Sequence, residues 1–432
     1  MLRLKNAGLR ASPMAVNIPR SRTSISASVR LWRSLIAAVV VAAVGCGSLV
    51  YAANQSVQGF KKEEGGFDGD APTAILIEAT SGSVLFEKSA DELRAPSSMM
   101  KLMTAEVVFH AIQQGDIKLT DEYRISENAW RKGGAPSGTS TMFAALNSKV
   151  SVDDLLHGAL IQSGNDACIA LAEGIAGNEH TFATDNMTKR ARELGMTKST
   201  FANSNGLPDP GNKMTVRELA NLARYIIQTY PEFYKLFGEK EYTWNKIKQP
   251  NRNPLLNSLE GADGLKTGYT KEGGYGMVGS AVQNGIRLIA VVNGLEDSED
   301  RASEAKKMLE WGFRNFEART LFAAQQPVGY AKVFGGDSGS VKLSSPNPIK
   351  VMVQKNGTDK LIARIVYSGP VRAPVASGQQ VGVVRVWRGA NIAMEAPVYA
   401  AEPVGRGSTM RRAVDGVSEL VIGMFRAGAE KL

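Results

Sequence analysis

Two cysteines and three histidines are all that 432 residues contain of the side chains that most often ligate zinc. No His-x-His or His-Glu-x-x-His pattern links His110, His157 and His180, so the sequence disfavours a zinc peptidase. Cys46 falls within an N-terminal apolar run, which leaves Cys168 alone in the rest of the chain. That excludes an intramolecular disulfide, and Cys168 in the helical stretch "ACIALAEGIAG" reads as a buried structural thiol. Acidic residues are missing from the first 60 positions, where Arg3, Lys5, Arg10, Arg20, Arg22, Arg30 and Arg33 stand unopposed. Taking those seven from the formal charge of +9 leaves only +2 for the remainder, so the basicity does not imply nucleic-acid binding.

What is present at the N-terminus is a targeting layout. A basic region precedes the uncharged run from Ser34 to Ala52, which ends on the small-residue site Val50-Tyr51-Ala52. Cleavage after Ala52 is expected, making 1–52 a signal peptide. The alternative is an uncleaved anchor, because about 18 apolar residues just span a bilayer. Ala43-Val44-Gly45-Cys46 lacks the leucine of a lipoprotein box, and Met14 is an alternative start. Residues 53–71 are polar and glycine-rich and read as a disordered lead-in. Export through a signal of this type predicts a periplasmic protein.

Secondary-structure periodicity divides the rest. "APTAILIEATSGSVLFEKSA" reads as two strands around Ser81-Gly82, and Pro96 and Ser97 then open an apolar helix. Residues 151–234 are mostly helical. Strands return in "GADGLKTGY", "GYGMVGSAV" and "IRLIAVVNG", and the helix "ASEAKKMLEWGFRNFEA" closes a first domain spanning 72–321. Residues 328–404 read as a small all-β sandwich. Within it, Lys355-Asn356-Gly357 predicts a hairpin between "PIKVMVQ" and "KLIARIVY", with a second around Arg388-Gly389. In 407–432, Met410, Ala413, Val414, Val417, Leu420, Val421 and Met424 form one stripe of an amphipathic helix. That stripe suits a membrane interface, a place on the β-domain or a short coiled coil.

Three small motifs carry the chemistry. In "APSSMMKLMTAEVVFHAI", Ser98 begins a helix and Lys101 lies three residues on, on a face of Thr104, Ala105 and Val108. A lysine drawn into apolar surroundings loses its charged form readily and becomes a base, and a serine beside it is an activated nucleophile. The plain alternative is a capping serine and a snorkelling lysine. Ser303 and Lys306 repeat the spacing, so spacing alone decides nothing. The second motif, Ser163-Gly164-Asn165, lies between apolar helices where a hydroxyl and an amide need partners. Ser126–Asn128 and Ser345–Asn347 share its pattern, and a simple turn is its alternative. The third, Lys266-Thr267-Gly268, is the chain's one Lys-Thr-Gly. A cation and a hydroxyl there suit a carboxylate, and Gly268 lets a peptide approach the strand; the alternative is an ordinary exposed strand.

This trio is the set known from penicillin-binding proteins and class A β-lactamases. Together with "LIQSGNDACIALAE", "NKIKQPNRNPLL", "DGLKTGYT" and "LEWGFRNFE", it resembles the low-molecular-weight penicillin-binding proteins of the S11 type, serine D-alanyl-D-alanine carboxypeptidases, over roughly residues 70–432. The resemblance implies an α/β (α+β) fold: a mainly antiparallel sheet flanked by helices, a helical subdomain, then the β-sandwich and the tail helix. It implies that Ser98 attacks the terminal D-Ala-D-Ala of a peptidoglycan stem pentapeptide, with Lys101 as base and Ser163 as proton relay. Asn165 would touch Lys101 or the substrate, and Lys266, Thr267 and Gly268 would form the carboxylate-binding strand. The backbone N–H groups of Ser98 and Tyr269 would form an oxyanion hole, and Arg252 and Arg301 would lie near the substrate carboxylate. Tyr269 stands where many relatives carry His. β-Lactam antibiotics are expected as covalent inhibitors and no cofactor is expected. The tail would attach to the outer face of the inner membrane. A D,D-endopeptidase of cross-links and a catalytically weak wall-binding or shape protein are the alternatives. A β-lactamase is disfavoured because no Glu-x-x-Leu-Asn lies between Asn165 and Lys266.

Overall fold

The structure, a computed structural model, describes residues 66–357, 360–388 and 391–417. The expected signal peptide and most of the lead-in lie outside these residues. So do the stripe positions Leu420, Val421 and Met424.

Strand β1 (Thr73–Glu78) is apolar almost throughout and buried along its whole length. Ile75 and Ile77 enter one core while Ala74 and Leu76 enter another, because alternate residues of a strand face opposite sides of the sheet. β2 (Val84–Lys88) returns through the Ser81-Gly82 turn, in which Gly82 has φ +72°. β3 (Ala262–Thr270), β4 (Gly274–Gln283) and β5 (Ile286–Leu295) complete a five-stranded antiparallel sheet in the order β2-β1-β5-β4-β3. The expected strands are therefore all present, and β3 lies at one edge.

On one face lies a helical layer built from α1 (Lys101–Gln114), α2 (Val152–Leu160), α3 (Asn165–Ala176) and α4 (Val216–Thr229). α5 (Ser298–Asn315) covers the other face through Ala305, Met308, Leu309 and Trp311. α5 stops at Asn315, short of the expected Ala318. Phe316, Glu317 and Ala318 instead begin strand β6 (Phe316–Phe322), with no intervening loop.

The β-rich part contains β7 (Gly329–Phe334), β8 (Ser340–Ser344), β9 (Ile349–Gln354), β10 (Leu361–Tyr367), β11 (Val371–Arg372), β12 (Gln380–Arg388) and β13 (Asn391–Ala400). Six strands form one sheet in the order β10-β12-β13-β8-β7-β11, and β6 pairs with β9 in a second. β12 and β13 make the expected hairpin. β9 and β10 do not. The Lys355-Asn356-Gly357 turn passes the chain from one sheet to the other, because β9 pairs with β6, the strand continuing directly from α5. The same join ties the two parts together. Lys355 N donates to Asn315 O at 2.9 Å, Lys355 Nζ to Phe313 O at 2.9 Å, and Met352 shares a core with Trp311 and Phe316.

Residues 409–417 form a helix whose polar side meets the β-rich part. Arg411 Nη1 donates to Asp337 O at 2.6 Å, and Asp415 accepts from Gly335 N at 2.8 Å. Its apolar stripe faces outward: Met410 is 77 % exposed, Val414 59 % and Val417 67 %. No helix among the described residues is long and apolar enough to cross a membrane.

Candidate active site

Ser98 stands in a turn of 3-10 helix (Ser97–Met100) that leads straight into α1, rather than in the α-helix itself. In 3-10 geometry, side chains three residues apart eclipse one another, which brings residues 98 and 101 together. Ser97 enters the turn at φ +51°, and its hydroxyl lies 2.9 Å from Thr270 Oγ1 at the end of β3. Backbone held outside its usual regions is stable only where the surroundings impose it. Here Gly206, at φ +81°, packs so closely that a Cβ on it would lie 2.0 Å from Ser97 O. Gly268 on β3 also packs tightly on the turn, since a Cβ there would lie 3.1 Å from Met99 N.

Lys101 is fully buried, and its sequence neighbours Met99, Met100, Leu102 and Met103 belong to the hydrophobic core. Its Nζ lies 2.9 Å from Ser98 Oγ, 2.7 Å from Asn165 Oδ1 and 2.5 Å from Asn205 O. Two of the three are carbonyl oxygens, which can only accept. A neutral amine there gives both its N–H groups to the carbonyls and turns its lone pair to the Ser98 hydroxyl. Burial lowers its pKa to about 8, opposed by the nearby Cys168, Asp166 and Glu179 and reinforced by Arg252.

Asn165 opens α3 and is held on both sides. Its backbone N–H donates to Ser140 O at 2.8 Å and its Nδ2 to Thr139 Oγ1 at 3.0 Å, which aims Oδ1 at Lys101. The next residue, Asp166, is buried and accepts from Thr141 Oγ1, Met142 N, Ala144 N and Ala167 N, clamping loop 139–144 to the helix start. Ser163, at φ +68°, is buried, and its hydroxyl has no hydrogen-bond partner among the described residues.

Ser98 and Ser163 line a cleft of about 400 Å³, together with Ser140, Arg252, Thr267, Gly268, Tyr269, Tyr275 and Arg301. Among the described residues, two arginines line it and no acid does. Arg252 donates to Ser140 Oγ at 2.8 Å, and Arg301 lies over the Tyr275 ring at 5.5 Å. Neither has an ion-pair partner among the described residues. Lys266 is buried behind the cleft wall, with Thr267 O at 3.1 Å as its described hydrogen-bond partner. Burial, aided by Lys101 and Arg252, pushes its pKa well below the ordinary lysine value.

Residues 59–297 match the family model described as D-alanyl-D-alanine carboxypeptidase, Peptidase_S11. The chain belongs to this family. Residues 316–406 match the C-terminal domain of penicillin-binding protein 5. D-alanyl-D-alanine carboxypeptidase DacC of Escherichia coli is 40% identical over 81% of this chain and 88% of its own. The structure of penicillin-binding protein 5 from Haemophilus influenzae is 37% identical, with a TM-score of 0.69 over 79% of this chain and 99% of that one. Penicillin-binding protein D2 of Listeria monocytogenes in its ampicillin-bound form is 30% identical, with a TM-score of 0.51 over 57% of this chain and 98% of that one. The antiparallel sheet, flanking helices and C-terminal β-domain of this S11 chain are thus the fold expected from its sequence.

Ser98, Ser163, Thr267, Gly268, Tyr269, Arg252 and Arg301 line one cleft, Lys101 and Asn165 join it through the Ser98 hydroxyl, and Lys266 is buried next to Thr267. The competing motifs of the S11 chain fall elsewhere. Lys306 is 38% exposed and approaches Glu310, Ser126 caps a helix by accepting from Ala129 N, and Ser345 lies in the β-rich part. Sequence reasoning offers Asp166 only as a helix cap and misses its hold on the 139–144 loop, along with the Asn205 carbonyl and the Thr139–Ser140 loop. The Asn205-Gly206 dipeptide was a turn signal that marked that carbonyl. A backbone carbonyl carries no side-chain signature, and the loop is plain polar sequence.

Proposed function

We infer that the chain is a serine-type D-alanyl-D-alanine carboxypeptidase that trims peptidoglycan stem pentapeptides through an acyl-enzyme on Ser98. The observation that carries the roles is the environment of Lys101, whose two carbonyl neighbours leave one direction for its lone pair, toward Ser98 Oγ. Lys101 takes the Ser98 proton as the oxygen attacks the carbonyl carbon of the penultimate D-Ala. The developing oxyanion is held by the N–H groups of Ser98 and Tyr269. The C–N bond then breaks, and the proton returns through the Ser163 hydroxyl to the leaving D-Ala nitrogen. Water hydrolyses the ester on Ser98 and frees the tetrapeptide.

The cleft's two unpaired arginines and Thr267 suit the free carboxylate of the terminal D-Ala. Burial disfavours the charged form of Lys266, and a substrate carboxylate beside it would favour that form again. The same anionic grip suits the carboxylate of a β-lactam, which would acylate Ser98 and stay. A stem pentapeptide should release one D-Ala and no more, and its C-terminally amidated form should be a poor substrate. Mass spectrometry after penicillin treatment should place the adduct on Ser98. An adduct on Ser303 or Ser163, or equal turnover of the amidated peptide, would refute the assignment.

The location proposed is the periplasm, on the outer face of the inner membrane. The N-terminal layout supports export. The outward stripe of Met410, Val414 and Val417 supports an interfacial tail, since the helix's polar side is the one occupied by the β-rich part.

A further inference from the structure

Arg301 is held in an unusual way for a half-buried cation. It lies in the first turn of α5, where Asp297, Glu299 and Asp300 are its near neighbours in sequence. None pairs with it. Asp297 Oδ1 is taken by the N–H groups of Glu299 and Asp300, at 2.8 and 2.7 Å. The Arg301 Nε is buried without a partner among the described residues, and the described contact of the guanidinium is the face of Tyr275 at 5.5 Å. Tyr275 is in turn stacked on Tyr269, with ring centroids 4.1 Å apart and planes at 27°. The two tyrosines are cross-strand partners on β3 and β4, so the stack rests on the rigid edge of the sheet.

We propose that Tyr275, braced by Tyr269, is the positioning residue that holds Arg301 ready for the substrate carboxylate. The chemistry explains the choice of an aromatic face. A carboxylate neighbour would orient the guanidinium equally well but would neutralise it and compete with the incoming anion. A ring face attracts the cation while leaving its N–H donors free. It also removes freedom from a long side chain before substrate binds, so less is lost on binding. Tyr269 thereby has two parts: its backbone N–H serves the oxyanion and its ring supports the stack. This inference rests on the carboxylate reading of Arg301 and adds to it the group that sets the arginine's place.

The test is steady-state hydrolysis of a stem pentapeptide by Tyr275→Leu, Tyr275→Phe, Arg301→Gln and the Tyr275→Leu/Arg301→Gln double variant. Tyr275→Leu should raise KM roughly 3- to 10-fold, the scale of one cation–ring contact, with kcat changed less than about 2-fold. Tyr275→Phe keeps the ring and should stay within about 2-fold of the parent KM, because the contact uses the ring face. Arg301→Gln should raise KM at least as far, and adding Tyr275→Leu to it should change nothing more. If Tyr275→Leu does not fold by thermal melting, Tyr275→Met supplies apolar bulk without a ring and takes its place. A normal KM for the ringless variant overturns the proposal. So does a rise of equal size in the Arg301→Gln background, which would make Tyr275 a packing residue only. If Arg301→Gln itself leaves KM unchanged, the carboxylate reading of Arg301 falls first, an outcome distinct from either.

Discussion

Raising the pH from 7 to 9 should accelerate acylation of Ser98 about tenfold, a rise set by the burial of Lys101. The base works only without its third proton. Because burial lowers the Lys101 pKa to about 8, its neutral fraction grows as pH rises through that value, and the limb ascends. With that pKa the neutral fraction is about 0.1 at pH 7 and about 0.9 at pH 9; a solvated lysine would offer well under ~0.001 at pH 7. The burial of this one amine therefore accounts for a factor of roughly 200 in usable base at neutral pH. The measurement is the second-order rate of labelling by a fluorescent penicillin, far below saturation, from pH 6 to 9.5 at constant ionic strength. Lys101→Arg keeps the charge but cannot give up its proton, so labelling should fall at least ~100-fold and the limb should vanish. A flat profile in the parent protein would refute the reasoning. A limb that survives in Lys101→Arg would assign it to another group, of which the buried Lys266 is the nearest in kind.

Ser98→Ala should lose penicillin labelling altogether while its thermal midpoint stays within about 2 °C of the parent, which melting curves will show, since the hydroxyl makes one contact. Gly206→Ala should cut labelling sharply and lower the midpoint, because the new methyl would meet Ser97 O at 2.0 Å; unchanged labelling would mean the turn is not held from that side. Asp166→Ala should cost ~3 kcal/mol or more in denaturant unfolding, since it strands three backbone N–H groups and the Thr141 hydroxyl. Deleting residues 407–432 should move the protein from the membrane to the soluble fraction with hydrolysis intact. Retention in the membrane after verified signal cleavage would end the anchor reading.

The strands of the central sheet were legible because burial on both faces leaves near-continuous apolar runs, as in β1, and glycine turns punctuate them. Ser98 and Lys101 were legible only through their setting. Ser303 and Lys306 share the spacing, and what separates the pairs is that one lysine is sealed in a methionine-rich core while the other approaches Glu310. Pairing between strands was harder to read. Lys355-Asn356-Gly357 has every local property of a hairpin turn, yet β9 joins the upstream strand β6, with partners from Phe322–Ile349 to Phe316–Gln354, because local turn chemistry cannot weigh a distant edge. Asn205 acts through its carbonyl, which every residue has, so only the folded chain distinguishes it.

The direct passage from Asn315 of α5 into Phe316 of β6, locked by the two Lys355 contacts, leaves the β-rich part no slack to swing on. Were the tail held at a lipid surface, as proposed, the β-rich part would act as a stilt rather than a tether: the cleft would stand at a set height, and peptides would be trimmed in a thin band of the wall instead of through the whole volume a loose leash would sweep. Inserting a flexible segment after Asn315 would widen that band without touching the chemistry, and so change where in the wall the enzyme works rather than how fast.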